Sequence, residues 1–146
     1  MQILWKRDFA IGVVEIDGQH QELFARFDRL LTAIQKGSGP AELRTTFAFL
    51  DDYTRRHFRA EEELQRRSRY PHLPMHRDEH RGFEARLSDL KERLEREGAT
   101  EDLAHLTSHV LVQWLIEHIC RLDRDLAGYL VKHQTEEWER WLKNNF

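Results

Sequence analysis

Apolar side chains recur three and four residues apart through four long stretches of the 146-residue chain. That is the spacing of helices with one buried face. Leu23, Phe24, Phe27, Leu30, Leu31 and Ile34 form the first stripe, and Leu43, Phe47, Leu50, Tyr53 and Leu64 the second. Phe83, Leu87, Leu90 and Leu94 form the third, and Leu111, Trp114, Leu115 and Leu122 the fourth. Helix breakers separate them. Asp17-Gly18 can cap a first helix that runs to about residue 36 and stops at the GSGP of 37–40. Pro40 suits the first position of a second helix, where its missing N–H costs nothing. The YPHLP of 70–74 is a turn, because each residue before a proline is pushed out of helical geometry. A third helix over 74–97 ends at Gly98, and Thr100 caps a fourth that continues to about residue 131.

Connections this short join only antiparallel neighbours. The pattern therefore predicts an all-α, antiparallel up-down-up-down four-helix bundle. Residues 1–16 read as an extended arm. Thr135 can cap a short C-terminal helix, which puts Trp138, Trp141 and Leu142 on one face. One domain over 1–146 is expected, with the bundle at about 17–131 and an extension at about 134–146.

Composition narrows the partners. The chain is 40% apolar and 34% charged with a net charge of −3, which gives no reason to expect nucleic acid. Its arginine clusters are interleaved with acids. No apolar run approaches the roughly 18 residues of a membrane span, and the N-terminus has no signal-peptide pattern. A lone Cys120 cannot form an internal disulfide, so a reducing, cytoplasmic setting is expected.

The nine histidines are the unusual feature. At about 100° per residue, several fall inside the apolar stripes. The stripe of the first helix lies within about 80° of His20. On the second, Leu43, Leu50, Tyr53, Glu61 and Leu64 lie within about 40° of His57. On the third, His80 and the leucines lie within about 40° of His76. On the fourth, Leu111, Trp114 and Leu122 lie within about 40° of His118. In an antiparallel bundle these positions converge at one end of the core. An isolated buried carboxylate such as Glu61 is costly, whereas imidazole and carboxylate together suit a metal of the iron or zinc kind. Asp123 and Asp125 are both candidates near His118. On an ideal helix Asp123 points about 140° away, while Asp125 shares the face but lies about 10 Å along. A local π-bulge would bring Asp123 round, so helical angles leave the choice open. His105 and His109 point away from the core, His72 and His133 lie outside the helices, and Cys120 faces elsewhere.

These residues make an ordered pattern: GVVEIDGQH ending at His20, HFRAEE from His57, HRDEH from His76 to His80, and WLIEHICRLD ending at Asp123. The pattern resembles the hemerythrin family, bacterial hemerythrins in particular, over roughly residues 5–130. The resemblance implies a non-haem di-iron centre with a bridging oxo or hydroxo group. It assigns His76, His80 and His118 to one iron and His20 and His57 to the other, with Glu61 and Asp123 as bridges. It prefers Asp123 over Asp125, and it places Phe58, Trp114, Leu115 and Ile119 around an oxygen pocket. The implied activity is reversible dioxygen binding for storage, delivery or sensing, because the two-histidine iron keeps one open position; a histidine-rich ligand set beside an apolar pocket without an acid or base implies binding and not enzymatic turnover. A di-iron peroxidase, or a nitric-oxide-handling or redox-sensing protein, is the alternative on the same site. A protein partner or a second copy could dock on the C-terminal segment.

Overall fold

The computed structural model describes residues 5–133, together with Arg140, Lys143 and Asn144. The expected C-terminal helix, with Trp138, Trp141 and Leu142, lies outside the described residues. The helices are α1 (Val14–Gln35), α2 (Gly39–Arg67), α3 (Leu73–Glu97) and α4 (Glu101–His118). A π-helical turn (Ile119–Asp123) joins α4 to α5 (Arg124–Lys132), and together these make the fourth limb. No strand occurs among the described residues. α1 packs on α2 and α4, and α3 packs on the same two. This is the expected all-α four-helix bundle. No helix among the described residues is long and apolar enough to cross a membrane.

The helix ends follow local chemistry. The Thr100 side chain accepts a hydrogen bond from the Leu103 amide at 3.1 Å, and Glu101 and Asp102 occupy the first turn of α4. Gly98 closes α3 at φ 80°, a conformation that costs glycine little. The first helix starts three residues earlier than Asp17. Asp17 instead sits inside its first turn and accepts from the amides of Ile11 and Gly12, at 2.8 and 3.2 Å. It ties down the arm, which also contains a 3₁₀ turn (Arg7–Phe9) and packs Trp5 and Phe9 against Phe24.

The core is divided. A large apolar cluster, from Leu23 and Phe24 through Phe58 and Phe83 to Trp114 and Ile119, fills one part of the bundle. A smaller cluster of Val13, Ile16, Leu64, Tyr70, Leu126, Ala127 and Leu130 fills the other. On three limbs a buried polar residue falls between members of the two clusters: His20 between Ile16 and Leu23, Glu61 between Phe58 and Leu64, Asp123 between Ile119 and Leu126. A thin polar layer thus lies between two oily ones.

Candidate metal centre

Four limbs supply that layer. α1 contributes His20. α2 contributes His57 and Glu61, one turn apart. α3 opens with His76 and His80, and α4 ends with His118. None of these, nor Asp123, is more than 4% exposed. The π turn supplies Asp123. Its wider turn, with i to i+5 bonding, rotates the fifth residue after His118 back onto the face of His118. Asp123 Oδ1 accordingly lies 3.1 Å from His118 Nε2. Asp125 is occupied elsewhere, accepting the Tyr70 hydroxyl proton. His105, His109, His72 and His133 are exposed, and Cys120 is partly buried beside the site's limb.

The candidate ligand atoms fall into two groups with a shared member. Glu61, His76, His80 and His118 bring one ligand atom each within 4.8 Å of one another, and so do His20, His57 and Glu61. Glu61 divides its oxygens between them. Oε1 lies 2.6 Å from His76 Nε2 and 3.4 Å from His80 Nε2, while Oε2 lies 3.1 Å from His57 Nε2. Asp123 does the same. Its Oδ1 faces His76 and His118, and its Oδ2 lies 3.0 Å from His20 Nε2.

The donor set fits metal better than it fits itself. Both oxygens of Glu61, both of Asp123 and Nε2 of His80 are buried without a well-formed hydrogen bond, although nitrogen and oxygen approach as closely as 2.6 Å. Buried polar groups are normally hydrogen-bonded, so this many orphans in one place need a cause. Atoms that aim at a common point between them, and not at each other, satisfy both facts. Two ligand atoms each about 2.1 Å from one ion at right angles stand about 3.0 Å apart. The observed separations scatter around that value.

Charge tells the same story. Burial alone would raise the Glu61 carboxyl, but the charge of His76, with the His57 and His80 rings close by, holds it well below the ordinary carboxylate range. Burial and Glu61 both push Asp123 up, and His118 and His20 reverse this to leave it well below. Burial pushes the His76 imidazole down, yet Glu61 and Asp123 hold it at about 10. His57 goes the other way, lowered by burial despite Glu61. Two carboxylates therefore stay ionised in a dry core, and the site is built to neutralise them with positive charge.

Residues beyond the motif orient these groups. Glu62 Oε2 accepts from His80 Nδ1 at 3.1 Å, and Glu62 Oε1 accepts from Arg77 Nε at 3.1 Å and from Arg81 at 3.4 Å. The side-chain oxygen of Gln19 meets His57 Nδ1. Such partners fix which ring nitrogen carries the proton, leaving Nε2 free to bind metal. Sequence reading missed both. Adjacency to a candidate ligand, Glu62 after Glu61 and Gln19 before His20, is the only sequence signal they carry.

Beside the two-histidine group lies a cavity of about 10 Å³, close to the minimum that holds one water-sized molecule. Phe58, Trp114 and Leu115 line it, with Leu23, Phe27, Phe83, Tyr53, Thr54 and the candidate ligands His20, His57, His118 and Asp123. Ile119 is fully buried in the same core, outside that lining. Two hydroxyls were not expected here. Thr54 donates to the Leu50 carbonyl, whereas the Tyr53 hydroxyl is buried without a partner.

Residues 11–130 match the family described as the hemerythrin HHE cation binding domain. The chain is 31% identical to a bacteriohemerythrin of Pseudomonas aeruginosa and 30% identical to one of Stenotrophomonas maltophilia. Each alignment spans 92% of this chain and 85% of the relative. It is 24% identical to a myohemerythrin of Sipunculus nudus, over 87% of this chain and 92% of that protein. With the ordered motifs and two histidine groups joined by shared carboxylates, the match over most of its length makes this chain a member of the hemerythrin family.

Proposed function

We propose that this chain binds dioxygen reversibly at a pair of non-haem irons, for storage, delivery or sensing. The observation that carries this reading is the way Glu61 and Asp123 each turn one oxygen toward each histidine group. His76, His80 and His118 would hold one iron and His20 and His57 the other, with both carboxylates and an oxo or hydroxo group as bridges. The irons, when bound, supply an open coordination position on the two-histidine side and the electrons that dioxygen takes up. The names of the relatives, bacteriohemerythrin and myohemerythrin, agree with this reading.

The chain's own contribution is seclusion. Phe58, Phe83, Trp114 and Leu115 keep bulk water from the cavity. Apart from the proposed ligands, Tyr53 is its one ionisable lining residue among those described. Burial, with Glu61 nearby, raises the Tyr53 phenol well above its usual value. It therefore stays protonated at neutral pH, able to donate a hydrogen bond but poorly placed to deliver a proton. This favours binding over turnover. The test is the visible spectrum of anaerobically reduced protein through repeated cycles of oxygen and vacuum. A coloured species that returns with each cycle supports the reading, and one-way conversion to a ferric spectrum counts against it.

The unpartnered Tyr53 hydroxyl is the one observation that favours a peroxidase, redox-sensing or nitric-oxide-handling protein instead. Steady-state consumption of peroxide or nitric oxide that falls in Tyr53→Phe would support that alternative.

A further inference from the structure

A buried cavity needs a way in. On the outer side of α2 and α3 lies a groove of about 330 Å³, lined by Asp51, Arg55, Arg59, Arg81, Glu84 and Lys91 over a floor that includes Thr54 and Leu87. Among the described residues, Thr54 alone lines both this groove and the inner cavity. It is itself 5% exposed. On α3 the two spaces are separated by a single helical turn, with Phe83 lining the cavity and Leu87 the groove. At this point the small Thr54 side chain belongs to the wall of both spaces.

We propose that small ligands reach the metal centre from the α2–α3 groove, and that Thr54 is the gate. The inference rests on the dioxygen-binding reading above. The Thr54 hydroxyl donates to the Leu50 carbonyl at 2.7 Å. Threonine on a helix has two accessible χ1 rotamers, unlike valine or isoleucine. The gate can therefore open by a change of side-chain rotamer, without moving a helix.

The mouth also has a sign. Lys91 is paired with Asp51 at 2.5 Å, and Arg81 with Glu84 and Glu62. No such pair holds Arg55 or Arg59 among the described residues, and both are exposed. The uncompensated charge is positive, so it draws small anions toward the neck and leaves neutral dioxygen unsteered.

The experiment uses azide as the probe on the ferric, iron-loaded chain, with association and dissociation followed by stopped-flow absorbance. Thr54→Ser removes the γ-methyl and keeps the hydroxyl, while Thr54→Leu adds bulk to the neck. A gate raises or lowers a barrier common to entry and exit. Both rates should rise together in Thr54→Ser and fall together in Thr54→Leu, spreading over about tenfold, at wild-type iron content. Salt should slow azide entry in the wild type, and Arg59→Glu should slow it at low salt. Wild-type rates in Thr54→Ser overturn the gate, whether or not Thr54→Leu folds. So does a change that moves the two rates in opposite directions, which marks a pocket contact. Absence of an azide band in the wild type would count against the metal reading and overturn the proposal with it. Unchanged rates beside a normal band overturn the gate alone.

Discussion

Replacing Glu62 with alanine leaves every proposed ligand in place and removes the group that holds one of them. His80 Nδ1 loses its acceptor at 3.1 Å, and the ring is free to turn or to move its proton onto Nε2, the nitrogen that faces Glu61. Loss of a partner of this kind costs about 10- to 100-fold in metal affinity, or about 1.4 to 2.8 kcal/mol. The fold should suffer less. The other partners of Glu62 are the Arg77 and Arg81 side chains, which are 49% and 55% exposed. Pairs that open to water contribute roughly 0 to 1 kcal/mol. Glu62→Gln keeps the shape and an acceptor oxygen, so it should fall between wild type and alanine. The assay is the rate of iron release to a chelator, with iron per chain before the challenge and thermal melting as controls. Faster release in the order alanine, glutamine, wild type, at similar melting temperature without metal, is the expected result. Wild-type release from Glu62→Ala would refute the orienting role. Equal destabilisation with and without metal would mean that Glu62 serves the fold instead.

Three further outcomes are expected. His118→Ala should lose iron while His105→Ala keeps it, because the first is buried in the polar layer and the second is exposed; iron per chain decides, and equal loss would contradict the ligand assignment. Thr100→Ala should cost about 1 kcal/mol of stability through the lost cap of α4, read as a lower melting temperature at unchanged iron content. In the metal-free chain His76 is held at about 10 against an ordinary 6.5. Its contribution is fully present below pH 6.5 and is lost as pH rises toward 10. The urea midpoint of metal-free protein should fall across that window, whereas the loaded protein, where metal replaces the proton, should hold level. A flat metal-free profile would contradict the charge balance described for the site.

Much of this was legible in the sequence, for physical reasons. His57 with Glu61, and His76 with His80, stand four apart on regular helices, and such pairs share a face whatever the neighbours do. Thr100 and Gly98 mark helix ends because their preferences are local. Asp123 was not legible from helical angles, because the π turn adds a residue that a fixed 100° step cannot count. Asp17 looked like a cap but binds the arm, since a side chain inside the first turn can reach backward as easily as one before it. Glu62 and Gln19 lie off the buried stripe's centre line, and only the packing of α3 on α2 and of α1 on α2 gives them work. Tyr53 sits in the apolar stripe by period. Its ring belongs there, stacked on His57 at 5.2 Å, while its unpartnered hydroxyl is visible only once the side chains are placed.

On the proposed reading, two irons occupy the polar layer, joined by Glu61 and Asp123. Anomalous diffraction at the iron edge from crystals of the iron-loaded chain tests it most directly. Two iron peaks are expected, one among His76, His80 and His118 and one between His20 and His57, with both carboxylates lying between them. A single peak, or a peak that scatters as zinc, would contradict it.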